Sequence, residues 1–419
     1  MEIQKYAFPV FWVGLIFATY LGMGEYYLIL VFGFVVFLAY NENKLYISKK
    51  RMKESYWHFF VGYYLVVSVF GLIAGYAGFK NFVEFILKYI CLPVIIIFLI
   101  PKSRQKIQSM LICVKNFIFI CAVYGLAESL LKYNYMADFV RLESKRFIQT
   151  MNLSMNYQPS SLFLHYNYYG GILVIGFLLA VFVPYKTKAV NLFYSAVILE
   201  QVLVCQSRIN WGALLVVLTI LVFMSQRITD RKLQIVTALG AAGLCVVIIR
   251  PSLLFGLLSF VENRFSRLWI YGLEDGSLGQ RVGTFLNWFQ YFKESPVAGI
   301  LGTGYQSIGT VFMGRYSFFK GYSTADCEYT VYLVETGLTG VLLLTLAVRR
   351  FLKMRECLDA DNKRMQRMGK LGVVVYIVMC LTLDIASNNI MLAMLYFMIV
   401  LAERAAGSER EAAERLLKG

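Results

Sequence analysis

The chain has 419 residues, of which 59% are hydrophobic and 16% charged, against roughly 45–50% apolar and 25% charged in soluble domains, so an ordinary water-soluble fold is excluded. A net charge of +16 would suit nucleic acid, but in so apolar a chain basic residues chiefly report membrane orientation and contact with anionic lipid, and no nucleic-acid partner is expected. The eight cysteines lie mostly in apolar stretches and show neither a disulfide framework nor metal-ligand spacing.

A crossing needs about 20 apolar residues for some 30 Å of hydrocarbon, and about twelve stretches qualify: 7–23, 27–40, 58–78, 82–100, 111–131, 162–184, 190–206, 210–225, 233–250, 329–348, 371–385 and 388–403. The first lacks a small-residue cleavage site and reads as an anchor. The pairs flanking Glu25, Arg208 and Asp384 are joined by short turns, which fit either two crossings or one re-entrant unit. Lysine and arginine gather at Lys5 and in 44–53, 102–106, 186–188, 227–232, 349–370 and 404–418. With twelve crossings all of these fall on one side, which the positive-inside rule makes cytoplasmic along with both termini. The expected architecture is all-α: a single integral membrane domain over 1–419, with a cytoplasmic tail at 404–419.

Two long segments, 132–161 and 251–328, fall on the opposite, extracytoplasmic side, and loops this long are usually functional or disordered. The second contains Phe255, Phe260, Phe265, Trp269, Trp288, Phe289 and Phe292, too much apolar surface for a solvated tail. Within it, residues 281–292 place Val282, Phe285, Leu286 and Phe289 at helical spacing, which predicts a helix lying on the bilayer or covering a cavity. Pro296 and the glycines up to Gly304 then break regular structure. Gly302 and Gly304 permit backbone N–H groups to face an anion, although a plain glycine turn is favoured.

Arg208 occupies a very short outer turn between two apolar spans, where an arginine is costly without a partner and marks a functional position by default. The competing reading is an interfacial anchor on lipid phosphate. The larger segment adds Arg250, Arg264, Arg267, Arg281 and Arg315, with Lys293 and Lys320, and the earlier one Arg141, Lys145 and Arg146. Guanidinium groups match phosphate oxygens bidentately, so these residues suit a phosphate-bearing substrate at the outer face. Arg208 and Arg281 are the strongest candidates, with Arg267 behind them; most of the others read as solvated charges. Asp326 and Glu328 precede a span and fit either a general base or a helix-start carboxylate that complements the macrodipole. Glu335, two turns into that span, must be protonated, paired or facing water. His165 fits a proton relay, although a simple hydrogen-bonded histidine is the commoner case.

Four pieces in order resemble the O-antigen polymerase and ligase superfamily, the multi-span glycosyltransferases of bacterial surface polysaccharides. They are Leu162 to Gly171; Gln206-Ser207-Arg208 followed by Trp211-Gly212-Ala213; Arg281 to Gly304; and Asp326-Cys327-Glu328-Tyr329 with Glu335-Thr336-Gly337-Leu338-Thr339-Gly340. The likeness covers roughly residues 150–345 and extends to the first five spans only by hydropathy. Asp326 stands where ligases carry histidine, which favours a polymerase, and Cys327 replaces the usual asparagine. The resemblance implies a GT-C-like fold and a metal-independent, inverting glycosyltransferase without cofactor. Its substrate would be an undecaprenyl-pyrophosphate-linked oligosaccharide at the outer face of the bacterial cytoplasmic membrane, and its product O-antigen, capsule or exopolysaccharide, with a chain-length regulator as a possible protein partner. On that reading Arg208, Arg281 and Arg267 hold the diphosphate, Asp326 or Glu328 accepts the acceptor's proton, and Trp288, Tyr305 and Tyr322 face sugar rings. The alternatives are an O-antigen ligase and a lipid-linked oligosaccharide flippase or transporter. A transporter's ionisable residues should line mid-bundle instead of gathering at one face.

Overall fold

The structure is a computed structural model that describes residues 5–41, 57–140, 157–163, 165–224, 272–274, 279–322 and 324–416. The expected span 233–250 and Arg267 lie outside the described residues. Among those described, every regular element is helical: α1 (Ala7–Tyr20), α2 (Gly24–Asn41), α3 (Trp57–Ile73), α4 (Phe79–Leu99), α5 (Arg104–Leu131), α6 (Tyr166–Phe182), α7 (Lys188–Val204), α8 (Arg208–Met224), α9 (Thr284–Glu294), α10 (Pro296–Leu301), α11 (Glu328–Glu335), α12 (Gly337–Leu352), α13 (Ala360–Met379) and α14 (Asn389–Leu416). Among the described residues, three helices are long and apolar enough to cross a membrane: α4, α5 and the Asn389–Gly407 part of α14. The pairs flanking Glu25, Arg208 and Asp384 each resolve into two separate helices.

α6 has apolar residues on every side, the mark of a helix with no solvent or lipid face, and it is buried almost throughout, from Tyr169 to Ala180. α5, α7, α8 and α13 surround it. Small residues let the neighbours close in, as in membrane bundles: Asn210 fills the space beside Gly170 and Met379 that beside Gly171. At the other end of α6, the buried Lys115 of α5 donates to the Val183 carbonyl at 3.0 Å and to Asn191 Oδ1 at 2.8 Å. It thereby satisfies a carbonyl that the helix terminus leaves open.

α4 carries a π turn at Leu87–Cys91, just ahead of Pro93. Proline has no N–H to donate and clashes with the carbonyl four residues back, and a π turn relieves the ladder there. The expected single span at 329–348 is broken in two at Thr336–Gly337, where Gly337 takes φ +64.

Charged and polar groups separate towards two ends. At one end Arg104 pairs with Asp359 and Asp361, and the Arg404 guanidinium donates to the Ile97 carbonyl. Among the described residues, the stretches 102–106 and 349–370 expected on the basic face therefore meet, and Arg404 reaches the end of α4 beside them. At the other end Tyr20 donates to the Ser161 carbonyl, Asn210 to the Asn167 carbonyl and Tyr168 to the Asp384 carbonyl. The candidate residues of the sequence gather at this second end.

Candidate functional site

α6, α8, α11 and α14 all begin at the second end. The α6 N-terminus is capped by His165, whose Nδ1 accepts the Asn167 N–H at 3.0 Å. The Asn210 side chain ties α8 to it through the Asn167 carbonyl at 2.9 Å, which places Arg208, the first residue of α8, at the same mouth. α11 is joined to the turn before α14 in both directions: the Glu328 N–H donates to the Cys380 carbonyl at 3.0 Å, and the Ala386 N–H to Glu328 Oε2 at 3.2 Å. Four helix N-termini at one end present a positive potential to any anion there.

The outer segment reaches this mouth through Arg281. Its residues Gly279–Gly283 form a π turn leading into α9, and buried Gln280 fastens that turn by donating to the Thr324 carbonyl at 2.9 Å. Arg281 is half-buried and donates from Nε to the Asp326 carbonyl at 3.3 Å. Its guanidinium also lies within electrostatic reach of His165. Because Nδ1 accepts the Asn167 N–H, that nitrogen carries no proton. Asp326 adopts φ +51, a left-handed conformation that aspartate tolerates, and its half-exposed carboxylate accepts from the Thr324 hydroxyl at 2.7 Å.

Glu328 behaves differently. It is 1% exposed, one oxygen receives the Ala386 N–H and its carboxyl lies beside that of Asp384. Asp384 is half-exposed, and its Oδ1 accepts the Ser387 N–H at 3.1 Å. Of the two acids expected near a reacting hydroxyl, Asp326 stands towards the opening and Glu328 beneath it.

Glu335 is paired instead of facing open water. The Tyr64 hydroxyl donates to its carboxylate, and the N–H groups of Gln306 and Ile308 point at it. Those residues follow the glycine turn, so Glu335 secures the fold of that turn. The N–H groups of Thr303 and Gly304 donate to the Glu335 carbonyl at 3.1 and 2.9 Å; they face protein carbonyls and not an anion, as the plain glycine-turn reading expected. The turn projects Tyr305 and Gln306 inward. Gln306 donates to Glu84 Oε2 at 2.8 Å, and Lys88 Nζ to the Tyr305 hydroxyl at 3.0 Å and the Ser387 carbonyl at 3.3 Å.

Trp288 is 4% exposed and packs with Tyr291, Phe312 and Tyr316 in a small core under the outer segment. Tyr305 is equally buried, among Tyr64, Phe85 and Tyr89. Neither ring presents a face for a sugar; Tyr322 is exposed. α9 buries Thr284, Trp288 and Tyr291, and leaves Val282, Leu286 and Phe289 exposed. The apolar row recognised in the sequence is thus split: Val282, Leu286 and Phe289 face outward, while Phe285 packs against the core around Trp288. Lys88, Glu84, Asp384 and Tyr168 were not singled out as site residues. The signal for Lys88 was present, since a lysine inside an apolar run needs a partner.

Compared with known proteins, the chain matches no family model and no curated sequence.

Proposed function

We propose that the chain is a polysaccharide polymerase of the O-antigen polymerase and ligase type, a GT-C-like enzyme with about twelve spans and both termini cytoplasmic. Convergence of Arg281, His165, Asp326 and four helix N-termini on one mouth is the observation that supports this reading. The donor is a glycan on undecaprenyl pyrophosphate and the acceptor a lipid-linked repeat unit. The acceptor hydroxyl oxygen bonds to the donor's anomeric carbon from the face opposite the pyrophosphate. The carbon–oxygen bond to pyrophosphate breaks, its electron pair leaves with the diphosphate, and the hydroxyl proton passes to a base.

Pyrophosphate is already a good leaving group, so the protein's task is to align two large substrates and hold developing negative charge. Arg281 and Arg208 take the diphosphate, aided by the helix N-termini, and Arg267 supports them. Asp326 accepts the proton, and Glu328 holds the turn that carries Asp384.

In a host that depends on this gene, Arg208→Ala and Arg281→Ala leave the protein in the membrane and abolish long polysaccharide. Arg281→Lys is also impaired, because an ammonium lacks the planar fork. Normal chain length in both alanine variants refutes the diphosphate role. Joining of finished polymer to a different acceptor, with no chain extension, assigns the chain as a ligase instead.

A further inference from the structure

The glycine turn of the outer segment does not sit above the bundle. Thr303 and Gly304 pack against Gly71 and Val67 in the last two turns of α3, which ends at Ile73, the Tyr305 N–H donates to Ser68 Oγ at 3.2 Å, and Tyr63, a further turn down, donates to the Leu301 carbonyl at 2.6 Å. On the other side Gly302 lies against Glu335 and Thr336, and Gly337 against Ile300. α12 runs from Gly337 to the basic pair Arg349 and Arg350, a rise of about 18 Å at 1.5 Å per residue. α11 adds about 10 Å between Glu328 at the mouth and Glu335. A turn that far from both ends lies within a hydrocarbon layer some 30 Å thick.

Irregular backbone survives at that depth only if its polar groups are satisfied by protein, and this segment meets the requirement. Gly299 donates to Ser295, Gly302 to Ala298, Thr303 and Gly304 to Glu335, and Ser307 to Gly304. Gln306 and Ile308 direct their N–H groups at the Glu335 carboxylate. The outer side of the same segment is apolar and bare: Val297 is 70%, Ile300 45% and Leu301 49% exposed. It is continuous with exposed Phe70 of α3 and Leu342 of α12.

We propose that residues 296–307 form a re-entrant element at hydrocarbon depth, with Val297, Ile300 and Leu301 in contact with the acyl chains of the bilayer. The outer segment is thereby anchored in the membrane as well as covering it, independently of the reaction it serves.

Spin labels on Val297→Cys and Leu301→Cys in lipid nanodiscs test the proposal. Phe70→Cys serves as a lipid-facing reference, Gln290→Cys as a polar one, and the unsubstituted chain gives the background from native cysteines. The substituted side chains are exposed, so the fold should tolerate the changes. At 297 and 301 dissolved oxygen should collide with the label more often than a water-soluble nickel chelate does, as at 70, with the order reversed at 290. Chelate collisions dominating at 297 and 301 overturn the proposal. Dipolar broadening between labels on separate chains also overturns it, because a second copy then covers the face.

Discussion

The imidazole of His165 is tied by Nδ1 to the start of α6, so only its other nitrogen can serve a substrate. In detergent, His165→Ala should lower the melting temperature through loss of the cap, which costs about 1 kcal/mol, and His165→Asn, which keeps a capping side chain, should restore most of it. Equal melting temperatures in the two variants would remove the cap as a contributor. Lys88 illustrates the opposite case, a cation in an apolar run that is kept by a set of partners from three elements: Glu84 at 3.9 Å on its own helix, Tyr305 from the outer segment and Ser387 before α14.

At the scale of elements, the two glycine-containing stretches that looked like separate motifs are one interlocked unit. Gly302 has φ +87 and Gly337 φ +64; a side chain on Gly302 would collide with the backbone of Glu335 and Thr336, and one on Gly337 with that of Ile300 and Gly302. Gly75 has φ +73 but open space around it, so it separates conformational strain from collision. Gly75→Ala should cost about 1–2 kcal/mol, the left-handed penalty alone. Gly302→Ala and Gly337→Ala add steric overlap of about 1–3 kcal/mol. Melting temperatures in one detergent should therefore rank Gly75→Ala well above both; equal losses would show that the interlock contributes nothing. The same unit explains why the expected span at 329–348 is broken: Gly337 turns the chain where Ile300 abuts it.

Across the described residues of the molecule, the basic stretch around Arg104 and the candidate site residues occupy opposite ends. Leu358, in the loop whose neighbours pair with Arg104, is 83% exposed, and Ser387 is exposed in the turn before α14. If the basic end faces the cytoplasm, a membrane-impermeant thiol reagent applied to intact cells should label Ser387→Cys. It should label Leu358→Cys only after permeabilisation. The reverse pattern places Arg208, Arg281 and Asp326 in the cytoplasm and removes an outer-leaflet lipid-linked donor from consideration.

Hydropathy and charge by themselves determined that this chain is helical and apolar enough for a membrane, and they located the ends of most helices, because burial in lipid leaves few choices of side chain and of backbone hydrogen bonding. Arg281 and Asp326 were legible as exceptions to that pattern, and Glu335 as an acid that needed a partner. Which partner it found was a tertiary matter: the Tyr64 hydroxyl comes from a helix 271 residues away in the chain, and no local spacing records such a contact. The burial of Trp288 and Glu328 and the seating of Gly302 against Glu335 were settled the same way, by which surfaces meet once distant helices pack.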